Sequence, residues 1–315
     1  MEHLNRYFKD YEKIAPPDST IFCYYAPAKV NFSLKIGEKG PNNLHNIQSL
    51  MRKIGIFDKI SFKFTEGCYE ISVIPGRILK KDIFKSELES IANLDNIIIK
   101  AAKIYFERLN IKDKGIDALI EKNIPLKAGL GGGSSDASGM LLKLNEIFGN
   151  PFNLQELQKL AFELGSDAPF FLTKGDAIIT GFGEKIYEIP EAALPKYFIV
   201  IIIPDFGIST KEAYNHFDDF LLTNNLNYYN IQYLDFKNIK FENDFETVIF
   251  RKYPILKEIK DSMAQCGAEL SLLSGSGSTV FGAFRSKEKA VTYLGSLESY
   301  PFNKRIVSGS LATTL

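Results

Sequence analysis

The stretch Leu126-Lys127-Ala128-Gly129-Leu130-Gly131-Gly132-Gly133-Ser134-Ser135-Asp136 holds four glycines within five residues and opens directly onto a helix-forming segment. Ala137, Met140, Leu141, Leu144, Ile147 and Phe148 fall there at helical spacing. Glycine weakens regular structure, so a cluster is tolerated where backbone must turn tightly or approach a ligand closely. With Ser134, Ser135 and Asp136 at the helix start, the loop aims several free N–H groups at one point. The helix dipole adds positive potential, and together these make an anion site. Two familiar nucleotide templates fail: Gly133 is followed by Ser134 rather than by the GK[ST] of a Walker A loop, and GxGxxG counted from Gly129 needs glycine at 134. A flexible surface turn is the bland alternative, which the capped helix behind the loop argues against. Phosphate binding is the better reading, though by itself it names no enzyme.

Outward from this loop the chain reads as α+β. Strands are predicted at 22–25, 30–36, 59–64 and 69–73, separated by turn chemistry at 37–43 and 66–67. A helix over 96–109 and a strand over 116–120 lead to the loop. Asn153 caps a further helix that Gly165 ends, and a strand is predicted at 170–173. Beyond lie a strand at 197–203, a helix at 255–266 closed by Gly267, and a strand reaching Leu273. Ser274-Gly275-Ser276-Gly277-Ser278-Thr279 interrupts that strand, which resumes at 280–284. Residues 218–245, rich in Asn and Tyr, read as a loop or insertion. Residues 1–20 read as an extension with a short helix over 5–14. With a seam near 185–195, the expected division is 1–20, 21–190 and 191–315.

Composition narrows the class. The chain has 315 residues, 45% hydrophobic and 24% charged, which suits a soluble globular protein. Lys plus Arg equals Asp plus Glu, 38 against 38, so no electrostatic case exists for nucleic acid or an anionic membrane surface. Cys23, Cys68 and Cys266 are scattered and form no CxxC, so neither a disulfide framework nor a zinc site is indicated. The first residues lack the apolar core of a secretory signal, and the aliphatic run at 198–204 is too short to cross a bilayer. A cytoplasmic protein is the expectation.

Pro125 to Ser138, PLKAGLGGGSSDAS, resembles the phosphate-binding motif of the GHMP kinases, the family of galactokinase and of homoserine, mevalonate and phosphomevalonate kinases. Two further motifs of that family stand in the right order. Ala26-Pro27-Ala28-Lys29-Val30-Asn31 resembles the first, and the segment Leu273 to Phe281 resembles the third. The resemblance implies an amino-terminal half like domain 2 of ribosomal protein S5 and a ferredoxin-like carboxy-terminal half. It also implies ATP as phosphoryl donor. Mg2+ is implied by the chemistry, since the β- and γ-phosphate charge must be neutralised, although no acidic metal cluster is readable in the sequence. Within the family, the stretch from Ala26 to Met51, Leu164 to Phe171 and Gly181 to Glu184 are similar to members that phosphorylate the 2-hydroxyl of CDP-methylerythritol. Mevalonate, phosphomevalonate or homoserine as acceptor, or a nucleotide-binding relative without catalysis, are the alternatives.

The resemblance assigns roles residue by residue. Pro125, Leu126, Lys127, Ala128, Gly129, Leu130, Gly131, Gly132, Gly133, Ser134 and Ser135 would bind ATP. Asp167 would be the catalytic carboxylate, although aspartate before Ala-Pro also makes an ordinary turn. Lys29 would pair with it near the acceptor hydroxyl, although a lone lysine in a strand usually faces solvent. Asn31 shares a strand face with Lys29 by period two. His45 would meet the cytosine edge and Tyr214 would stack on the base, with a plain core or surface tyrosine as the competing account. Thr210 and Lys122 are candidates for the diphosphate or cytidine, and Ser276 and Gly277 for a turn over the substrate, against a plain hairpin. Where relatives have Asp-Gly-Tyr-His, this chain has Asn42-Asn43-Leu44-His45, so one stacking ring is missing.

Overall fold

Period-two alternation of apolar side chains sets the sheets, and the helices cover them with stripes of 3.6-residue period. The computed structural model describes residues 21–41, 43–78, 85–191, 193–229 and 240–315. The 1–20 extension with its expected helix, Asn42, and residues 230–239 of the expected loop lie outside the described residues. The chain divides into two compact units, each assembled from three stretches of sequence.

The first unit takes the described residues within 1–28, 56–125 and 131–174. Here β1 (Phe22–Lys39) begins and β2 (His45–Glu66) ends, followed by β3 (Tyr69–Pro75), α1 (Lys85–Ile91), α2 (Ile97–Arg108) and β4 (Lys114–Lys122). After the glycine-rich loop come α3 (Gly132–Ile147), α4 (Leu154–Leu164) and α5 (Ala168–Phe171). β4 pairs antiparallel with β2, from Lys59 opposite Glu121 to Glu66 opposite Lys114, and parallel with β3 from Tyr69 opposite Ile116. Ile60, Phe62, Ile116, Ala118 and Ile120 point one way. They bury against Ile98, Tyr105 and Phe106 of α2, Met140, Leu141 and Leu144 of α3, and Leu157 and Leu160 of α4. Each large apolar side chain so buried is worth roughly 1.5–3 kcal/mol.

The expected strand at 170–173 is instead the single helical turn α5. Pro169 sits in its first turn, where the missing N–H costs nothing. Ala168, Pro169, Phe170 and Phe171 are all buried, so no two-residue alternation exists to make a half-buried strand.

The second unit takes 29–55, 126–130 and the described residues within 175–315. β1 continues into it and β2 starts in it, pairing antiparallel with β5 (Ala177–Gly181), which pairs with β6 (Lys185–Glu188). β7 (Phe198–Pro204) precedes α6 (Thr210–Thr223), α7 (Glu246–Lys252) and α8 (Pro254–Gln265). β8 (Leu270–Leu273), β9 (Val280–Phe284), α9 (Lys287–Gly295) and β10 (Ile306–Thr313) complete it. These strands form an antiparallel sheet in the order β10-β7-β9-β8, against which α8 and α9 pack. Part of the expected 218–245 loop is helical, because Ala213, Phe217 and Leu221 bury one stripe and carry α6 on to Thr223. β1 and β2 are also far longer than the short strands predicted, since turn residues at 37–39 lie within β1. Among the described residues no helix is long and apolar enough to cross a membrane.

Asn153 caps α4 as expected and completes a reciprocal box: its side chain accepts from Glu156 N at 3.0 Å while Glu156 accepts from Asn153 N at 2.8 Å. Asn153→Ala should therefore destabilise the protein by about 1 kcal/mol in urea unfolding. An unchanged midpoint would show that packing alone holds this helix end.

Candidate active site

In the second unit, parts of all three sequence motifs meet. Lys29 is buried in β1, and its Nζ donates to Asn31 Oδ1 at 2.6 Å. Asn31 Nδ2 donates to Ser49 Oγ at 2.8 Å, and Ser49 Oγ donates to the Ser33 carbonyl at 2.6 Å. The expected shared face of Lys29 and Asn31 is thus realised, inside the protein rather than on a solvated surface.

The segment 126–130 is held against these residues through its carbonyls. Leu130 O accepts from Lys29 N at 3.0 Å, Gly129 O from Ser274 Oγ at 2.9 Å, and Ala128 O from Thr279 N at 3.2 Å. Lys127 O accepts from Ile208 N at 3.1 Å. Gly129 has φ +74°, and a Cβ there would lie 1.9 Å from Ser274 O. Only glycine fits this approach. At Gly275 a Cβ would lie 3.3 Å from Lys29 Nζ and 3.4 Å from Asn31 Oδ1, so the third motif's glycine abuts the first motif's lysine.

Thr210 opens α6 behind its cap Ser209, and Thr210 Oγ1 lies 3.4 Å from the buried Ser276 Oγ. Gly277 adopts φ +88° in the same turn. Asn243 was not legible in the sequence. Its Nδ2 donates to the carbonyls of Leu273 and Gly275, both at 2.8 Å, and shapes the turn from beneath. It lies in the stretch that reads as a loop, where one asparagine among many carries no signal.

His45 and Tyr214 come together in the same unit, stacked on each other at 4.5 Å between ring centroids and 6° between planes. Three partners of this pair were missed. Asp218 Oδ1 lies 2.8 Å from His45 Nε2, Tyr228 donates its hydroxyl to Asp218 at 2.9 Å, and Lys39 pairs with Asp218. Asp218 stands four residues after Tyr214 on α6, a signal hidden by the expectation of a loop there. Burial pushes the Asp218 carboxyl up, but hydrogen bonds from Lys39 and Tyr228 and the neighbouring His45 together hold it below its usual range. Burial outweighs Asp218 at His45 and lowers the imidazole from its ordinary value. A neutral ring beside an ionised carboxylate donates Nε2–H to it, which leaves Nδ1 as the ring's acceptor.

The first unit holds the rest of the glycine-rich loop. Gly131 caps α3 in the left-handed region, with φ +69°, and Ser135 N returns to its carbonyl at 2.9 Å. Gly132, Gly133, Ser134 and Ser135 form the first turn, so their N–H groups include the unpaired donors of a helix start. Ser135 Oγ is buried and has no hydrogen-bond partner among the described residues. Asp167 stands at the entry to α5, in the turn that Ala168 N closes on Gly165 O at 3.0 Å, and its side chain does not cap the helix. Ser138 Oγ donates to Ala168 O at 2.7 Å and ties α3 to this turn.

The Lys122 ammonium, a candidate for the diphosphate or cytidine, is engaged inside the protein. It is buried on the core phase of β4 and bonds two carboxylates, Asp58 and Asp136.

The GHMP kinases N terminal domain matches residues 96–175, and the GHMP kinases C terminal domain matches 230–298. The chain is 37% identical over 270 residues to a 4-diphosphocytidyl-2-C-methyl-D-erythritol kinase of Syntrophus aciditrophicus, across 84% of this chain and 90% of that one. A kinase of the same name from Syntrophotalea carbinolica is 34% identical over 274 residues, across 85% and 91%. The crystal structure of a 4-(cytidine 5'-diphospho)-2C-methyl-D-erythritol kinase is similar at a TM-score of 0.69 and 26% identity, over 93% of this chain and 98% of that one.

The loop glycines separate into those required by the chain and one that reports on a ligand. A Cβ at Gly132 would lie 2.9 Å from Ile124 Cγ2 and 3.0 Å from Lys122 Nζ, so substitution there disturbs the protein itself. A Cβ at Gly133 would meet only Ile97 Cγ2, at 3.8 Å. Gly133→Ala should leave thermal stability equal or higher, because alanine favours helix, yet weaken ATP binding by about tenfold through crowding of a phosphate. Unchanged ATP affinity by calorimetry would mean that the first turn of α3 does not approach phosphate.

Proposed function

This chain belongs to the GHMP kinases, in the family of the 4-diphosphocytidyl-2-C-methyl-D-erythritol kinases, and we propose that it transfers the γ-phosphate of ATP to the 2-hydroxyl of that CDP-linked tetritol. The observation that carries this reading is the meeting of Lys29, the 128–130 carbonyls and Gly275 in one hydrogen-bonded group. Three motifs far apart in sequence share a single environment, which a chance glycine loop does not explain.

In this reading the N–H groups at the start of α3 bind the phosphates of ATP, and the dipole of that helix favours their charge. Lys29 serves the reacting phosphoryl group, whose charge spreads over its equatorial oxygens in a loose transition state. Its hydrogen bond to Asn31 keeps the ammonium in place before substrate arrives, so little reorganisation is needed during reaction. Asp167 orients the acceptor hydroxyl and takes its proton as the new P–O bond forms.

Magnesium needs few protein ligands, because it keeps waters and binds substrate phosphates through one or two protein oxygens. The Ser135 hydroxyl, buried and without a hydrogen-bond partner among the described residues, fits as one such oxygen. When bound with ATP, the ion neutralises charge on the β- and γ-phosphates.

The group around His45 supports a cytidine handle. An imidazole whose Nε2–H is committed to Asp218 presents an acceptor, which complements the exocyclic amine of cytosine and not the carbonyl of uracil. The base would join an aromatic group that already contains Tyr214 and Tyr228, the latter 5.7 Å from His45, in a chain where Leu44 supplies no ring.

Two experiments follow. Asp167→Asn should lower kcat by about a hundredfold or more with smaller changes in both KM values, and Lys29→Met should act on the same step and combine with it non-additively. Near-normal turnover of Asp167→Asn would remove that residue from the mechanism. In an ADP-release assay over CDP-methylerythritol, methylerythritol phosphate, mevalonate and homoserine, only the first should be turned over efficiently. His45→Ala should raise its KM by about tenfold with ATP kinetics little altered, as loss of one base contact requires. Preference for mevalonate or homoserine would overturn the acceptor.

A further inference from the structure

Two strands of the first unit place a charge on the phase that otherwise feeds the core. Along β2, Ile56, Asp58, Ile60 and Phe62 are buried in alternation, and along β4, Ile116, Ala118, Ile120 and Lys122. Side-chain exposure is 0% at Asp58 and 1% at Lys122. Lys122 Nζ contacts Asp58 Oδ2 and donates to Asp136 Oδ2 at 2.8 Å. Asp58 Oδ1 accepts from two backbone N–H groups, Asn123 at 2.6 Å and Ile124 at 2.8 Å. Asp136, in the first turns of α3, is itself fastened by Tyr24, whose hydroxyl donates to Asp136 O at 2.7 Å.

The chain between Ile124 and Asp136 is the glycine-rich loop, residues 125–135. The knot therefore grips the strand that enters the loop and the helix that leaves it. Gly132 lies beside the same ammonium, where a Cβ would sit 3.0 Å from Lys122 Nζ. Apolar residues would fill this space with less desolvation, so stability alone does not account for three buried ionisable groups. Directional bonds to both ends of a loop do what apolar packing cannot: they set its span.

The two carboxylates are not equivalent. Both oxygens of Asp58 are hydrogen-bonded, whereas Asp136 Oδ1 is buried with no partner among the described residues. Burial, with the nearby Asp58 charge adding to it and Lys122 opposing, pushes the Asp136 carboxyl well up. The ammonium keeps its proton, since Asp136 and Asp58 outweigh its burial.

We propose that Asp58 is a positioning residue for ATP, holding the phosphate loop at its binding span through Lys122 and the Asn123 and Ile124 amides, with Asp136 the lesser partner because one oxygen alone is engaged. This rests on the loop's assignment to ATP given above. The test measures calorimetric affinity for a non-hydrolysable ATP analogue, together with KM for each substrate, in full-length variants whose folding is verified by circular dichroism. Asp58→Asn, which leaves Lys122 without its ionised partner, should weaken analogue affinity by about tenfold or more while acceptor KM stays within about twofold. Asp58→Glu, which keeps the charge but displaces its oxygens, should show the same split to a smaller degree and covers the case in which Asp58→Asn does not fold. Asp136→Asn, which keeps an oxygen toward Lys122 and changes the atom that has no partner, should have an effect at least about fivefold smaller than Asp58→Asn, or than Asp58→Glu in that case. Equal effects on ATP and acceptor, unchanged analogue affinity in folded Asp58 variants, or Asp136→Asn as damaging as the Asp58 variant it is compared with would each overturn the proposal. Failure of the wild-type protein to bind the analogue would instead overturn the assignment of the loop.

Discussion

Three consecutive backbone carbonyls, those of Ala128, Gly129 and Leu130, are claimed by three partners from distant sequence: Thr279 N, Ser274 Oγ and Lys29 N. A buried carbonyl left unpaired costs free energy, so each bond is both a satisfied acceptor and a fixed distance. With them in place, Gly129 can adopt only the left-handed backbone that brings it under Ser274, and Gly275 lies against Lys29. Gly129 of the second motif and Gly275 of the third are thus required first by the protein's own close packing. Any ligand meets a backbone already drawn tight.

Several buried charged groups among the described residues share one feature, a directional partner. Lys29 holds Asn31, Lys122 holds two carboxylates, and His45 is held by Asp218, which Tyr228 and Lys39 also grip. Such groups add little net stability, because desolvation consumes most of what their attraction returns. Their value is geometric. A side chain fixed by hydrogen bonds before substrate binds needs no ordering afterwards, which is the condition for a site to favour a transition state.

His45 lies within a group of aromatic rings drawn from separate elements. Tyr214 stacks on its ring, Tyr228 lies tilted beside it, and Phe245 meets Tyr214 edge-on at 4.9 Å between centroids. Aromatic groups assembled from separate helices and loops contribute stacking area whichever element supplies them.

The linear sequence by itself determined the α+β class, the family, the glycine-rich helix start, the Asn153 cap and the pairing of Lys29 with Asn31 on one strand face. All of these depend on local periodicity, on caps within one turn, or on motif order, which a single chain displays directly. The helical turn at Ala168–Phe171, read as a strand, shows the limit: four consecutive buried residues carry no period. Lys122 shows it more sharply. Its place in phase with Ile116, Ala118 and Ile120 was visible, as was Asp58 in phase with Ile56 and Ile60, but a charge on an apolar phase reads equally as a ligand contact or a buried knot. Only the tertiary structure decided between them, because the answer depends on which carboxylates the fold carries to the ammonium. Asn243, Asp218 and Tyr228 were beyond reach for the same reason. Hydrogen bonds between residues tens of positions apart leave no mark on local spacing, and distance in space is what makes them.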